Sequence, residues 1–401
     1  NPENQEIKYY YPTQDLVTGP DIIFFWVARM IISGYEFRDE KPFSNVYFTG
    51  IVRDKLRRKM SKQLGNSPDA IELIDKYGAD SVRVGLMLSS AAGNDLLFDE
   101  SLCQQGKNFT NKLWNALRLV NGWEIDDSKE ISEVNSLALQ WYENKFNQVL
   151  DLINKNYKNY RISDVLMSSY RLVWDDYCSW LLESVKPDFG KKIDNQTKLK
   201  VISLFEDNLK LLHPFMPFLT EEIWHQLNSR NYKESITISK WPDSNKFDND
   251  IINNFEIARE IISYIRNFRK EKNIPFKKEL SLYFVSKKSN LNYISVIKKL
   301  AFLDKIELSE KDNFKSVNSF IIGSIDFFIP LEGDVDLKSE IERLNKELDY
   351  NIKFLKSVEN KLKNKSFVDN APKDIVEKEK KKVNDANSKI KVIKKALSDL
   401  S

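Results

Sequence analysis

Two lysines, Lys59 and Lys62, are the residues of this chain whose spacing most clearly suggests chemistry. Ser61 stands between them, and Gly65, three residues after the second lysine, lets the backbone bend freely. Lysines three positions apart on a tight turn can reach one anionic group, and a compact ammonium group is a good partner for phosphate. The spacing therefore predicts a phosphate-binding loop, although lysines in a chain this rich in them also form ordinary solvated surface.

Neighbouring elements must position this loop. Ser67–Pro68 predicts the start of a helix, with serine as the N-cap and proline at the first helical position. Upstream, the almost wholly apolar segment 22–35 follows the turn Gly19–Asp21 and predicts a helix that is buried on several sides. Strands are expected at 15–18 and 45–52, and the order strand, helix, strand indicates part of a parallel sheet.

The sequence Lys-Met-Ser-Lys at 59–62 resembles the second signature loop of the class I aminoacyl-tRNA synthetases. The segment from Thr18 to Met30 resembles the strand, turn and helix of the valyl-tRNA synthetases, and the resemblance extends over essentially the whole chain. It implies the C-terminal half of an enzyme that uses ATP, with Mg²⁺ as its counter-ion, to form valyl-adenylate and charge tRNA(Val) with valine.

The resemblance also implies roles for individual residues. Lys62 would stabilise the charge that develops at the α-phosphorus, and Lys59 would position the loop, so both are catalytic candidates. Asp21 would bond the ribose hydroxyls, with a plain helix N-cap as the other interpretation. Trp26 would line the amino-acid pocket, unless it packs in the core. The residues implied to contact ATP or the adenylate are Thr18, Gly19, Asp21, Thr49, Gly50, Met60, Ser61 and Lys62.

Three positions depart from the pattern of the family. Thr49 stands at a strand end where the family often has histidine, Gln63 stands where many members have a second serine, and Arg57 stands where glycine is common. None of these departures removes the lysine pair.

Apolar periodicity divides the chain into four predicted domains, and the fold is expected to be mainly α. Residues 1–100 would form the C-terminal part of a Rossmann-type catalytic domain with stem helices, and 101–249 a bundle of five antiparallel helices. Residues 250–333 would form a small α+β linker module. Heptad spacing at 334–401 predicts an antiparallel coiled coil.

The resemblance assigns tRNA contacts to two of these domains. The bundle would read unstacked anticodon bases by stacking and by hydrogen bonds to their edges, with Lys112 and Arg118 as weak candidates. The coiled coil would bind tRNA phosphates, which gives affinity without sequence choice. Its candidate lysines are Lys380, Lys381, Lys382 and Lys391. Basic residues at 266–272 are expected to face either tRNA or solvent.

Composition restricts the remaining possibilities. The 62 basic and 59 acidic residues nearly balance, so any nucleic-acid surface must be local. Cys103 and Cys178 have no CxxC spacing, and free thiols in a reducing cytosol are expected. His213 and His225 have no partner at metal spacing, so no protein-bound metal is expected. No apolar run approaches the roughly 20 residues that span a bilayer, so we expect a cytoplasmic monomer without a membrane partner.

Two alternatives remain open at this stage. An isoleucyl-tRNA synthetase fragment would be expected to have Gln-His where this chain has Ile22–Ile23, and a non-catalytic tRNA-binding module could keep the lysine loop. The His-Ile-Gly-His signature that would face the loop does not occur in the sequence, and an editing domain is not recognised in it. Because the chain starts at Asn1 rather than at methionine, we expect a piece of a longer protein that is inactive alone.

Overall fold

The computed structural model describes residues 4–89, 95–231, 233–285, 291–309, 317–322, 325–330 and 337–363, with isolated positions between 379 and 397. The chain divides into two compact units, one of Asn1–Leu280 with Lys287–Ile306, the other of Ser281–Ser286 with Glu307–Ser401. The helices are α1 Gln5–Tyr10, α2 Ala28–Arg38, α3 Ala70–Tyr77, α4 Ala79–Leu88, α5 Glu100–Asn121, α6 Glu133–Lys158, α7 Ile162–Arg171, α8 Leu182–Val185, α9 Asn195–Leu212, α10 Pro217–Leu227, α11 Asn249–Glu271, α12 Ile294–Ala301 and α13 Leu337–Lys363. The strands are β1 Thr13–Thr18, β2 Phe43–Phe48, β3 Val52–Arg53, β4 Leu96–Leu97, β5 Ile125–Asp126, β6 Ile193–Asp194, β7 Leu280–Val285, β8 Leu303–Leu308, β9 Val317–Ile322 and β10 Ile325–Pro330.

The expected parallel sheet is present as the pair β1 and β2. Thr13 lies opposite Phe43 and Thr18 lies opposite Phe48, so both strands end at the same edge. The second strand is shorter than expected, because it ends at Phe48 and the chain resumes pairing only in β3, which runs parallel to β4. The residues between β2 and β3 therefore belong to no strand and follow the edge where β2 ends.

The expected burial of segment 22–35 was wrong. The segment begins with a short 3₁₀ turn, continues as a π-helix at Ile23–Val27 and becomes regular only in α2. Phe24 is 82% exposed and Ile32 is 68% exposed. The two described strands beside it are too few to cover a helix that is apolar on most of its surface, whereas a full parallel α/β sheet is covered on both faces.

The helix after the lysine loop starts later than expected. Asp69, not Ser67, is the N-cap of α3, because its carboxylate accepts hydrogen bonds from the backbone N–H groups of Ile71 at 2.7 Å and Glu72 at 3.4 Å. Aspartate and serine are equally good N-caps, so the sequence alone could not choose between them.

The helical bundle matches the predicted stripes. Its helices are α5, α6, a continuous rod made of α7, a π-helix and α8, then α9 and α10. Large aromatic side chains fill its centre, where the ring of Trp141 on α6 stacks on Phe255 of α11 with centroids 3.7 Å apart. The irregular part is the π-helix at Leu172–Leu181, which the spacing of apolar residues did not reveal.

Close packing and buried hydrogen bonds fasten the stem helices to this bundle. A Cβ on Gly106 of α5 would lie 2.4 Å from the carbonyl oxygen of Ser81 on α4, so only glycine permits this crossing. The buried carboxylate of Asp80 accepts hydrogen bonds from the N–H groups of Leu219 at 2.7 Å and Phe218 at 3.4 Å, at the start of α10. Burial raises the pKa of Asp80, and these two hydrogen bonds oppose the shift.

The later elements differ in detail from the expected linker and arm. The linker region contains the strand β7 and the antiparallel hairpin of β9 and β10, as an α+β module requires. Strand β8 was not predicted, and the sheet order is β8-β7-β10-β9. The long helix α13 lies in the predicted first arm, where Asn351 and Val358 are buried. Within the described parts of the chain, no helix is long and apolar enough to cross a membrane.

Candidate functional site

The edge where β1 and β2 end forms one side of the candidate site. Thr18 is buried, and its carbonyl accepts a hydrogen bond from the N–H of Thr49 at 2.9 Å, which ties the two strand ends together. The predicted residues Gly19 and Gly50 follow these ends directly. A Cβ on Gly19 would meet no atom within 4 Å, so there is open space for a ligand in front of this turn.

Asp21 does not cap a helix. It lies within the 3₁₀ turn after Gly19, and its carboxylate makes no capping hydrogen bond there. Instead, Asp21 Oδ2 lies 3.3 Å from the Nζ of Lys59, and both side chains are more than half exposed. The structure thus brings the predicted ribose contact and the first lysine of the loop together.

The lysine loop is an ordered hairpin. Arg53 pairs with Lys59 across it, and the N–H of Met60 donates to the carbonyl of Val52 at 3.3 Å. The side chain of Met60 packs against the core cluster that contains Leu73 and Phe98. Met60 therefore anchors the loop by its side chain, whatever its backbone contributes to nucleotide binding.

The two lysines of the loop differ in their ion pairing. Lys62 is exposed, and no acidic group within the described ranges forms an ion pair with it. Ser61 Oγ accepts a hydrogen bond from the N–H of Leu64 at 3.2 Å, and the N–H of Gly65 donates to the carbonyl of Lys62 at 3.2 Å. Gly65 has a φ of 62°, a left-handed conformation that glycine adopts at little cost. These bonds close the turn so that the ammonium group of Lys62 projects into solvent.

Sequence reasoning missed the role of Asp54 in the loop. Asp54 accepts hydrogen bonds from the N–H groups of Leu56 and Arg58, both at 2.9 Å, and from the side chain of Asn66 at 2.9 Å. The hydrogen bond from Asn66 is the largest of the effects that lower the pKa of Asp54 to about 2. Arg57 has a φ of 64°, which gives a conformational reason why the family commonly has glycine there.

Trp26 remains a candidate for the amino-acid pocket. It lies on the π-helix that follows the Asp21 turn and is 48% exposed, so it is not a core residue in the described structure. An indole in this position offers a large apolar face beside the strand ends.

The anticodon candidates lie on α5. The ammonium group of Lys112 lies 5.5 Å from the ring centre of Trp174, which stacks on Tyr170, while Arg118 is exposed. Trp174 was not predicted; it is partly exposed and lies on the π-helix at Leu172–Leu181. The four arm lysines Lys380, Lys381, Lys382 and Lys391 lie outside the described residues.

The basic run at 266–272 contains two arginines whose guanidinium groups contact other parts of the protein. Arg269 is 4% exposed, and Arg266, which is partly buried, donates to the carbonyl of Leu300 at 3.1 Å while its guanidinium lies 5.7 Å from the ring centre of Trp180. Both arginines therefore fasten α11 to its neighbours, and the burial of Arg269 corrects both alternatives that the sequence left open for it.

The two histidines and two cysteines have local partners or surroundings. His213 lies 2.7 Å from Thr220 Oγ1, and His225 lies 3.1 Å from Glu221 Oε1. Both cysteines are free and buried. Over the described ranges, no group of three or more His, Cys, Asp or Glu side chains could hold a metal ion.

Three family models match this chain. Residues 1–99 match the class I tRNA synthetases of the I, L, M and V group, residues 140–284 match the anticodon-binding domain of tRNA ligases, and residues 336–401 match the tRNA-binding arm of valyl-tRNA synthetases. The strand ends and the lysine loop thus lie in a region typical of class I aminoacyl-tRNA synthetases.

Similar proteins narrow the assignment within that class. The valine–tRNA ligase of Christiangramia forsetii is 52% identical over 100% of this chain and 46% of its own length, and that of Porphyromonas gingivalis is 48% identical over 100% and 45%. The valine–tRNA ligase of Thermotoga maritima is 36% identical over 99% and 46%. Homology to valine–tRNA ligases thus extends over the whole chain, which spans about half the length of the curated relatives it matches.

Proposed function

We propose that this chain supplies the lysine loop and the tRNA-binding parts of a valine–tRNA ligase, which uses ATP to form valyl-adenylate and then charges tRNA(Val). The observation that carries the proposal is the meeting of the lysine loop and the ends of two parallel strands, where Lys59 lies 3.3 Å from Asp21. Ligands of open α/β sheets bind at the carboxyl ends of the strands. Similarity to valine–tRNA ligases along the whole chain supports valine rather than isoleucine as the substrate.

In the proposed reaction, the carboxylate of valine attacks the α-phosphorus of ATP and pyrophosphate leaves. Negative charge develops on the phosphate oxygens, and the free ammonium group of Lys62 would stabilise it together with the Mg²⁺ that accompanies ATP. Asp21 would accept hydrogen bonds from the ribose hydroxyls, which requires its contact with Lys59 to open. Lys59 would then be available to position the loop against the phosphates.

The tRNA contacts are proposed for two regions. Trp174 and Lys112 offer an aromatic ring and a cation on one face of the bundle, a combination that suits an unstacked base and its phosphate. The lysine-rich arm would add phosphate contacts that do not depend on sequence. The bundle would therefore provide selectivity among tRNAs, and the arm would provide affinity that depends on salt.

Binding of the chain to tRNA(Val), with tRNA(Ile) as competitor across a salt series, tests this proposal. We expect preference for tRNA(Val) and a loss of affinity as salt rises. Arg118→Ala should weaken binding, whereas Lys246→Ala, which removes an exposed cation from the loop before α11, should change it little. Equal affinity for both tRNAs would contradict valine-specific recognition by this chain, and binding that resists salt would contradict the phosphate contacts.

The catalytic part has its own test. The chain alone is expected to show no valine-dependent exchange of pyrophosphate into ATP, because the His-Ile-Gly-His signature is not in its sequence. If this chain did exchange pyrophosphate into ATP, the expectation that adenylate formation needs the His-Ile-Gly-His signature would be wrong. A Lys62→Ala variant is expected to bind inorganic tripolyphosphate more weakly than the unmodified chain, because Lys62 is the proposed phosphate contact.

A further inference from the structure

The segment that carries the two lysines is the most crowded with positive charge near the site. Residues 53–62 contain six basic side chains and a single acid, Asp54. The basic side chains are Arg53, Lys55, Arg57, Arg58, Lys59 and Lys62. Mutual repulsion among them opposes a compact hairpin, so something must hold the backbone in the conformation that is observed.

Asp54 uses both of its carboxylate oxygens for this purpose. Oδ1 accepts from the backbone N–H groups of Leu56 and Arg58, which form the tip of the hairpin, at 2.9 Å each. Oδ2 accepts from Arg58 Nε at 2.8 Å and from Asn66 Nδ2 at 2.9 Å. The Asp54 side chain is itself only 12% exposed. One carboxylate thus joins the start of the loop to its tip and to its end.

Asn66 completes the connection by contacting the backbone at Lys59 and at Ser61, which lies between the two lysines. Its Nδ2 also donates to the carbonyl of Lys59 at 3.3 Å, and its Oδ1 accepts from the N–H of Ser61 at 2.9 Å. The orientation of the amide is fixed, because Nδ2 faces two acceptors and Oδ1 faces a donor. No other side chain on the described loop touches the backbone at both of these positions.

We propose that Asp54 and Asn66 are positioning residues that hold the backbone of Lys59 and Lys62 so that both ammonium groups point toward one polyphosphate. This inference rests on the proposed function, since it concerns how the phosphate-binding lysines are aimed. The ammonium group of Lys62 has no ion-pair partner on the described residues, so the space that it can reach is set by where the loop backbone holds its Cα. A shift of about 1 Å in such a group is enough to weaken a charged contact strongly.

The test compares variants of the full chain by two measurements, hydrogen exchange of the amides in 54–66 and calorimetric binding of inorganic tripolyphosphate. Asn66→Ala is expected to speed exchange of the Ser61 amide at least about tenfold and to weaken tripolyphosphate binding about fivefold to tenfold, the effect of losing hydrogen bonds to a charged group. Asp54→Asn should act in the same direction. Gln63→Ala is the matched control, because this exposed amide of the same loop makes no hydrogen bond among the described residues.

A reciprocal exchange separates positioning from simple loss of structure. In the double variant Asp54→Asn with Asn66→Asp, the amide and the carboxylate trade places, so the bond between positions 54 and 66 and the bond to the Ser61 N–H can both form again. We expect this variant to recover part of the tripolyphosphate affinity lost in Asn66→Ala, because a carboxylate at 66 cannot donate to the Lys59 carbonyl and the amide nitrogen at 54 cannot accept from Arg58 Nε. Thermal unfolding of every variant, including Lys62→Ala, shows whether the fold is retained.

The outcomes are distinguishable. If Lys62→Ala weakens tripolyphosphate binding but Asn66→Ala and Asp54→Asn behave like Gln63→Ala, the positioning inference is wrong and the proposed phosphate binding stands. If Lys62→Ala leaves binding unchanged, the proposed phosphate binding is wrong and the positioning role falls with it. Faster exchange in Asn66→Ala without any change in affinity would also overturn positioning, since the contacts would then serve the loop structure only.

Discussion

Replacing Arg269 by methionine is the sharpest test of how this structure uses its positive charge. The guanidinium lies at the end of α11 and is almost completely buried. Its Nη1 donates to the carbonyls of Pro275 at 3.2 Å and Lys278 at 2.7 Å, and its Nη2 donates to those of Ala301 at 3.1 Å and Phe302 at 2.8 Å. One side chain therefore fastens the end of a helix to two separate loops.

These contacts set the expected magnitude. A hydrogen bond to a charged group contributes about 1.5–3 kcal/mol, so four of them correspond to roughly 6–12 kcal/mol of gross interaction. Methionine avoids the desolvation cost of a buried guanidinium, which is several kcal/mol, and fills part of its volume. We therefore expect Arg269→Met to lower the free energy of unfolding by about 3–5 kcal/mol, the range for removing one partner of a buried charged contact.

The matched control is Lys270→Met, which removes a cation from the exposed neighbouring position of the same helix. Urea unfolding of the full chain, with hydrogen exchange over 260–306 to locate the change, should show a large loss for Arg269→Met and almost none for the control. Binding to tRNA is measured in parallel on the folded variants. If Arg269→Met unfolds at the same urea concentration as Lys270→Met but binds tRNA more weakly, the reasoning is refuted, and the guanidinium serves RNA binding instead.

Three further substitutions test other parts of the structure. Gly106→Ala should destabilise the chain by about 1–3 kcal/mol or more, because its Cβ would lie 2.4 Å from the Ser81 carbonyl, and thermal unfolding measures this. Burial raises the pKa of Asp176 to about 6 although Arg259 opposes the shift, so the folded state binds a proton more readily than the unfolded state. Stability from this group is present below its unfolded pKa of 3.8 and is lost as pH rises through about 6. Relative to the wild type, Asp176→Asn should therefore gain up to about 3 kcal/mol between pH 4 and pH 8 in urea unfolding, and a constant difference would contradict this. Arg57→Gly should protect loop amides from exchange better than Arg57→Ala by about 1 kcal/mol, because φ is 64° there and only glycine relieves the strain; equal protection would count against it.

The sequence was most informative where periodicity and local chemistry agreed. The apolar stripes located five bundle helices because each stripe faces a core that the bundle itself provides, so no outside partner is needed. The lysine pair was recognisable from its spacing, whereas the contact between Lys59 and Asp21 became known only from the structure. The apolar stripes and the lysine pair are features in which a few neighbouring residues determine the result.

Features that depend on residues far apart in sequence were not predictable. The expected burial of segment 22–35 failed because burial requires a second surface, and apolarity alone does not provide one. Asp54 and Asn66 lie 12 positions apart and meet only after the hairpin has formed. Trp174 became a candidate only through its contacts with Lys112 and Tyr170, which come from residues distant in sequence or on a π-helix that the apolar spacing did not reveal.

The contacts that each basic side chain already makes within the protein explain why similar cations have different roles in it. Arg269 donates to four carbonyls from a buried position, so its charge is committed to the fold. Lys59 holds a single exposed contact with Asp21 at 3.3 Å, which a ligand can displace at small cost because surface ion pairs contribute little. Lys62 holds none within the described structure, so all of its hydrogen-bonding capacity is open to a ligand. A count of basic residues therefore says little about anion binding, whereas the donors left unused after folding identify the groups that can still bind phosphate.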